Sequence, residues 1–267
     1  MKKYIWFSDT HLNLSPLPFM KRRFMKELRD SGADGLFLTG DVSIGLFLEY
    51  DLRFIARNFA GDVYFVLGNH DYHGRRMKHV HESIRNVCSE HSNLHWMTDE
   101  SHISLAEDVA LVGTEGWYDA SLGDPSLLRY TLDWILTHDF RVLGGMTDRI
   151  KHWSDLAMDS AKSMREKLEG ALKGHKTVYV LTHYPPWKDA AVVPGTSLAP
   201  FWLPYNTNAV MGRAIEDVMS TQVDKNIVVL AGHTHVPCHL RVNESIECIV
   251  ARASYFGKIT KEETILI

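Results

Sequence analysis

Cysteine is scarce in this chain. Only Cys88, Cys238 and Cys248 occur among 267 residues, with no C-x-x-C and no paired framework. A disulfide scaffold is thereby excluded, and a reducing, cytoplasmic location is expected. Long hydrophobic runs are missing as well. No stretch approaches the roughly 18 apolar residues of a membrane span, so no membrane association is expected. The start, MKKYIWFSDTH, carries an apolar run too short for the core of a secretory leader, and none is expected. Positive charge is not in excess: 29 Lys and Arg stand against 33 Asp and Glu, a formal net charge of −4. The chain as a whole has no attraction to nucleic-acid phosphates, although a local basic patch stays open. Internal repeats and low-complexity tracts are absent.

What is present is a soluble, globular composition, 45% hydrophobic and 23% charged, with length for one large domain or two small ones. Five apolar runs, KYIWFSD, DGLFLTGD, DVYFVLGN, TVYVLTH and NIVVLAGH, read as buried strands rich in β-branched and aromatic residues. Helical periodicity between the first three, over about 18–31 and 46–60, gives a β-α-β-α-β order and hence a parallel sheet with right-handed crossovers. A further helix is expected over about 75–91. LHWMTD, SHISLAED and VALVGTEGW then read as consecutive strands in antiparallel pairing, as do CHLRVN, ESIECIVARAS and ETILI near the C-terminus. The chain therefore holds two sheets with helices outside. Residues 117–173 break the alternation as a helical insert, and 186–205 read as a long, Pro-rich loop.

The five buried runs end in similar chemistry. The first gives Asp9 and His11, the second Asp41, the third Asn69 and His70, the fourth His183, and the fifth His233 and His235. Ligands bind at the carboxyl ends of parallel strands, so these groups can meet in one crevice. The i, i+2 pairs Asp9/His11 and His233/His235 face one way in extended backbone. Imidazole with carboxylate suits Mn, Fe or Zn, and no thiolate competes. Gly40, Gly68 and Gly232 precede three of the candidates, where backbone must approach closely. Each motif alone has a plainer reading. D-x-H occurs by chance or as a helix cap, GNHD serves as a turn, and GHTH as a solvated loop. Their joint occurrence, in order and each after an apolar strand, is what points to a metal site. His73, His79, His81, His91, His95 and His102 lack that context and read as surface or packing residues.

Taken together, D-x-H, G-D, G-N-H-D, H and G-H-x-H closely resemble the pattern of calcineurin-like metallophosphoesterases, over Asp9 to His235. The resemblance implies one domain over 1–267, with a four-layer αββα sandwich of two mixed β-sheets, a helical insert and a dinuclear metal centre on its rim. It implies that Asp9, His11, Asp41 and His235 bind one divalent ion, and Asp41, Asn69, His183 and His233 the other. Asp41 would bridge two ions, Mn and/or Fe, with Zn also compatible. His70 would be the unliganded catalytic imidazole, giving a proton to the leaving oxygen as activated water attacks phosphorus. Asp71 is read as a local orienting group.

Departures from the pattern narrow the expectation. Protein Ser/Thr phosphatases of this superfamily extend the second motif to G-D-x-x-D-R-G, but here GDVSIGL puts Ile44 and Gly45 where Asp and Arg would stand. Ile44 also occupies the place of the tyrosine ligand of purple acid phosphatases. The pattern is more similar to the phosphodiesterase and small-molecule phosphoesterase branch, acting on a phosphomonoester or phosphodiester of a small organic phosphate. A nuclease is the alternative enzyme, and a non-catalytic metal-binding scaffold the alternative outside catalysis. Trp117 and Tyr118 are candidates either for stacking on substrate or for packing the insert. FWLPYNTN, 201–208, is a candidate wall over the pocket, with Asn206 or Asn208 capping the following helix.

Overall fold

The computed structural model describes residues 1–14, 18–192, 199–253 and 264–267. Two mixed sheets carry the fold. In the first, β1 (Lys3–Phe7), β2 (Gly35–Thr39), β3 (Asp62–Val66) and β4 (Leu94–Trp96) run parallel. The far-distant β11 (Thr264–Leu266) returns to pair antiparallel with β1. The second sheet has the order β5 (Ile103–Ala106), β6 (Val109–Gly113), β7 (Thr177–Leu181), β8 (Asn226–Ala231), β10 (Ile246–Val250), β9 (Cys238–Arg241). Its central pairs are parallel and its two edge pairs antiparallel.

Period-two alternation splits each central strand between two cores. Tyr4, Trp6, Phe37, Tyr64 and Val66 point inward from the first sheet, against Leu111, Leu181 and Leu230 of the second. Ile5, Phe7, Leu36, Leu38, Val63 and Phe65 point outward, under Phe24 and Leu28 of α1 (Pro18–Asp30), Leu52 and Ile55 of α2 (Leu48–Asn58), and Val80 and Ile84 of α3 (Met77–Glu90). Across the second sheet, Val112, Val178, Val180 and Val229 bury against the insert's long helix and the helix preceding β8. Helix, sheet, sheet, helix is thus the layer order, because every central strand is apolar on both faces.

Between β6 and β7 lie the insert's helices, α4 (Asp133–Leu136), α5 (His138–Arg141) and the 26-residue α6 (Met146–Ala171). After β7 come α7 (Lys188–Ala191), α8 (Ala199–Asn206) and α9 (Ala209–Met219). Asn208 caps α9, its side chain accepting from the Met211 amide at 2.9 Å. Among the described residues, no helix is long and apolar enough to cross a membrane.

Four sequence expectations are corrected or narrowed. The C-terminal runs do not form one antiparallel set: β9 and β10 pair antiparallel in the second sheet, but β11 pairs with β1 in the first. The 94–114 strands do not form one antiparallel meander: β4 adds parallel to β3 in the first sheet, and only β5 and β6 pair antiparallel, in the second. Alternating apolar runs do not say which sheet a strand joins. The 186–205 loop contains α7 and part of α8, and its residues 193–198 lie outside those described. Trp117 and Tyr118 belong to the core, 3% and 0% exposed. They interlock with Tyr72, Phe140, Trp153 and Tyr184 in an aromatic cluster that anchors the insert, which settles their role as packing.

Candidate metal centre

The loops after β1, β2, β3, β7 and β8 lie side by side at one rim, and backbone hydrogen bonds fasten them together. Asp9 N donates to Gly40 O at 3.1 Å, His11 N to Asp41 O at 3.0 Å, and Gly232 N to His183 O at 2.9 Å. Seven non-glycine residues have left-handed backbone among those described, and five are candidate ligands: Asp9, His11, Asp41, His233 and His235. The Asp9/His11 and His233/His235 pairs are therefore not in the extended backbone expected from their spacing. Left-handed backbone is unfavourable for bulky residues, and such strain clusters where the surrounding fold holds a functional geometry. Two glycines make the approach possible. A β-carbon on Gly68 would lie 2.2 Å from Asp41 Oδ1, and one on Gly232 would meet Ser8 Oγ and Asp9 Oδ2.

The structure brings the seven sequence-derived ligand candidates into two facing groups that share Asp41. In the first, ligand atoms of Asp9, His11, Asp41 and His235 all lie within 4.8 Å of one another. His235 Nε2 is 3.0 Å from Asp9 Oδ1, and His11 Nε2 is 3.7 Å from Asp41 Oδ2. In the second, His183 Nε2 is 3.1 Å from Asn69 Oδ1, 3.3 Å from His233 Nδ1 and 3.6 Å from Asp41 Oδ1. Asp41 therefore turns one oxygen to each group. His70 stands beside it, Nε2 3.9 Å from Asp41 Oδ2, with a third of its side chain exposed.

Electrostatics favours a cation in both groups. Burial, then the Asp9 and Asp71 carboxylates, pushes the Asp41 carboxyl well above its usual range. Burial would raise Asp9 too, but His235, His183 and Ser8 hold its carboxyl below the usual range. Burial lowers His11 to about 4, His70 to about 3, and His183 and His233 as well, so these rings are neutral and offer lone pairs. His235 goes the other way: the Asp9 carboxylate outweighs burial and raises it.

The donor set fits a metal on a more specific ground. His183 Nδ1 lies 2.8 Å from Thr39 O, an acceptor, so the network assigns the proton to Nδ1 and the lone pair to Nε2. Asn69 Nδ2 donates to Asp133 Oδ1 at 3.0 Å and to Tyr205 Oη at 2.9 Å, which leaves Asn69 Oδ1 as the inward atom. Two acceptors thus face each other at 3.1 Å with no proton between them. A cation between them resolves that repulsion.

Asp71 is fully buried and accepts from the Val42, Ser43 and Gly68 amides, which ties the second and third motif loops together. Gly45 explains one departure from the phosphatase pattern. A β-carbon there would lie 2.7 Å from His73 O, leaving no room for an arginine. Sequence reasoning missed three neighbours of the site: His73, Asp133 and Tyr205. His73 Nε2 is 2.7 Å from Asp133 Oδ1, and its ring lies 4.5 Å from that of His70. A signal for His73 did exist. It follows His70 by three residues, the spacing at which side chains stack along the 3₁₀ turn His70–Tyr72. Asp133 and Tyr205 come from outside the motifs, and no spacing betrays them.

Comparisons with known proteins agree with this architecture. The fold is similar to that of a phosphopantetheinyl hydrolase from Mycobacterium tuberculosis, with TM-score 0.68 at 14% identity, over 94% of this chain and 89% of that one. A dimetal phosphatase from Danio rerio gives TM-score 0.57 at 14% identity, over 94% and 87%. A protein from Thermus thermophilus gives 0.52 at 14% identity, over 94% and 89%. No curated protein sequence matches the chain. The sequence model of the calcineurin-like phosphoesterase family matches residues 2–237. The chain belongs to the calcineurin-like phosphoesterase family.

Proposed function

We propose that this protein is a metal-dependent phosphoesterase that hydrolyses a phosphomonoester or phosphodiester bond of a small organic phosphate at a dinuclear centre. The observation that carries the reading is the unprotonated contact between Asn69 Oδ1 and His183 Nε2, beside a carboxylate, Asp41, with one oxygen turned to each ligand group. In this reading Asp9, His11, Asp41 and His235 hold one divalent ion, and Asp41, Asn69, His183 and His233 hold the other. Nitrogen and oxygen donors without thiolate suit Mn and Fe, and Zn as well. When bound, such ions neutralise phosphate oxygens and lower the pKa of water.

The chain's own groups supply the rest. The partly exposed His70 imidazole lies beside the shared carboxylate without belonging to either group, and donates a proton to the leaving oxygen. Burial holds that ring neutral, so the incoming phosphate provides the negative charge that favours its protonated form. The chain is one phosphoesterase domain over 1–267 in this reading, and its insert, 117–173, shapes the substrate side. Three free cysteines among the described residues suit a cytoplasmic setting.

The test is turnover of p-nitrophenyl phosphate and bis(p-nitrophenyl) phosphate by chelator-treated protein, before and after adding Mn²⁺. Metal-restored turnover supports the reading. No turnover of either ester with Mn²⁺, Fe²⁺ or Zn²⁺ would leave a non-catalytic scaffold instead.

A further inference from the structure

Asp133 lies on α4 of the helical insert, 64 residues from Asn69, and is fully buried. Its Oδ1 accepts from Asn69 Nδ2 at 3.0 Å and from His73 Nε2 at 2.7 Å. We propose that Asp133 is a positioning residue for the metal centre, fixing the Asn69 amide toward the second ligand group and bracing His70 through His73. The proposal rests on the dinuclear reading above and extends it to a segment that carries none of the family motifs.

A free asparagine side chain turns either its oxygen or its nitrogen toward a given point. Here both N–H bonds are committed, one to the Asp133 carboxylate and one to Tyr205 Oη at 2.9 Å. Rotating the amide would set its oxygen against the carboxylate and its nitrogen against His183. Asp133 and Tyr205 therefore preorganise the oxygen as a ligand. Partners of this kind behind a ligand fix its orientation and raise its basicity.

The second link is ring packing. Asp133 Oδ1 holds the buried His73 ring, which lies 4.5 Å from the ring of His70, centroid to centroid. His70 also packs against His11 at 4.8 Å. Its imidazole is thus set between two rings, one of them held from the insert.

The Asp133 carboxylate also lies beside the Tyr118 and Tyr205 hydroxyls, where burial and then its charge hold both phenols well above the usual range. A buried charge is tolerated only where hydrogen bonds compensate it, and its Oδ1 is bonded to Asn69 and His73.

The experiment is calorimetric titration of metal-free protein with Mn²⁺, on wild type, Asp133→Asn and Tyr205→Phe, with thermal unfolding recorded alongside. Wild type takes up two ions. Asp133→Asn keeps one affinity and weakens the other by about 10–100-fold, the usual loss for a partner behind a ligand, with no fall in the unfolding temperature. Tyr205→Phe weakens the same ion by a smaller factor, and carries the test if Asp133→Asn fails to fold. The inference is overturned if the variants bind both ions as wild type does. It is also overturned if both affinities fall together with the unfolding temperature, the mark of a structural role. A wild type that takes up fewer than two ions would instead bring down the dinuclear reading on which the inference stands.

Discussion

Asn69 Oδ1 and His183 Nε2 lie 3.1 Å apart, and each presents a lone pair to the other. The loops that hold them are fastened from behind, His183 Nδ1 to Thr39 O and Asn69 Nδ2 to Asp133 and Tyr205. Without a cation the fold pays for this repulsion. Mn²⁺ should therefore raise the unfolding temperature of chelator-treated protein. A ligand at 100 times its Kd stabilises by about 2.7 kcal/mol. Unfolding temperatures unchanged by metal would mean that the two acceptors are compatible as they stand.

His70 offers a second check. Its ring belongs to neither ligand group, so His70→Ala should keep both metals. Activity should fall by about 10²–10⁴-fold on esters with poor, high-pKa leaving groups, the typical worth of general acid catalysis. p-Nitrophenyl esters, whose leaving group hardly needs a proton, should lose much less. Equal losses across a leaving-group series would make His70 a group that positions phosphate.

Trp117 should behave as a core residue. It stacks on Tyr184 at 6.0 Å and meets Phe140 edge-on at 5.6 Å. Trp117→Ala should destabilise the protein by about 3–5 kcal/mol, as for other large-to-small changes in cores, read from urea midpoints. A variant of wild-type stability with altered substrate preference would return Trp117 to the substrate pocket.

Away from the site, His81 gives a pH dependence. Burial, reinforced by Arg85 and opposed by Glu115, lowers it from the ordinary 6.5, and its Nε2 lies 3.0 Å from the buried Tyr72 Oη. Below pH 6.5 the unfolded chain takes a proton that the folded ring refuses, so stability falls as pH falls. Between pH about 7.5 and 5.5, His81→Gln should lose less stability than wild type. An equal loss would show that His81 does not contribute to the acid limb.

Much of this was legible in the sequence because central strands of a parallel sheet are apolar on both faces. Residues such as Asp9, Asp41 and His183 stand out at their ends. The strand β4 was legible but its sheet was not, since Leu94 and Trp96 fit either sheet and only pairing with Val63 and Phe65 decides. The left-handed backbone of Asp9, His11, Asp41, His233 and His235 leaves no mark in residue type, because tertiary contacts impose it. Asp133 was invisible for a related reason: a carboxylate beside apolar residues looks solvated until the fold closes over it.

The most direct test is to count metal ions per chain by mass spectrometry, in wild type and Asp41→Ala. Asp41 turns Oδ2 toward His11 at 3.7 Å and Oδ1 toward His183 at 3.6 Å. Removing it takes away the anion shared by both ligand groups. The account predicts two tightly held ions per wild-type chain and the loss of both in Asp41→Ala. Two ions retained in Asp41→Ala would contradict it.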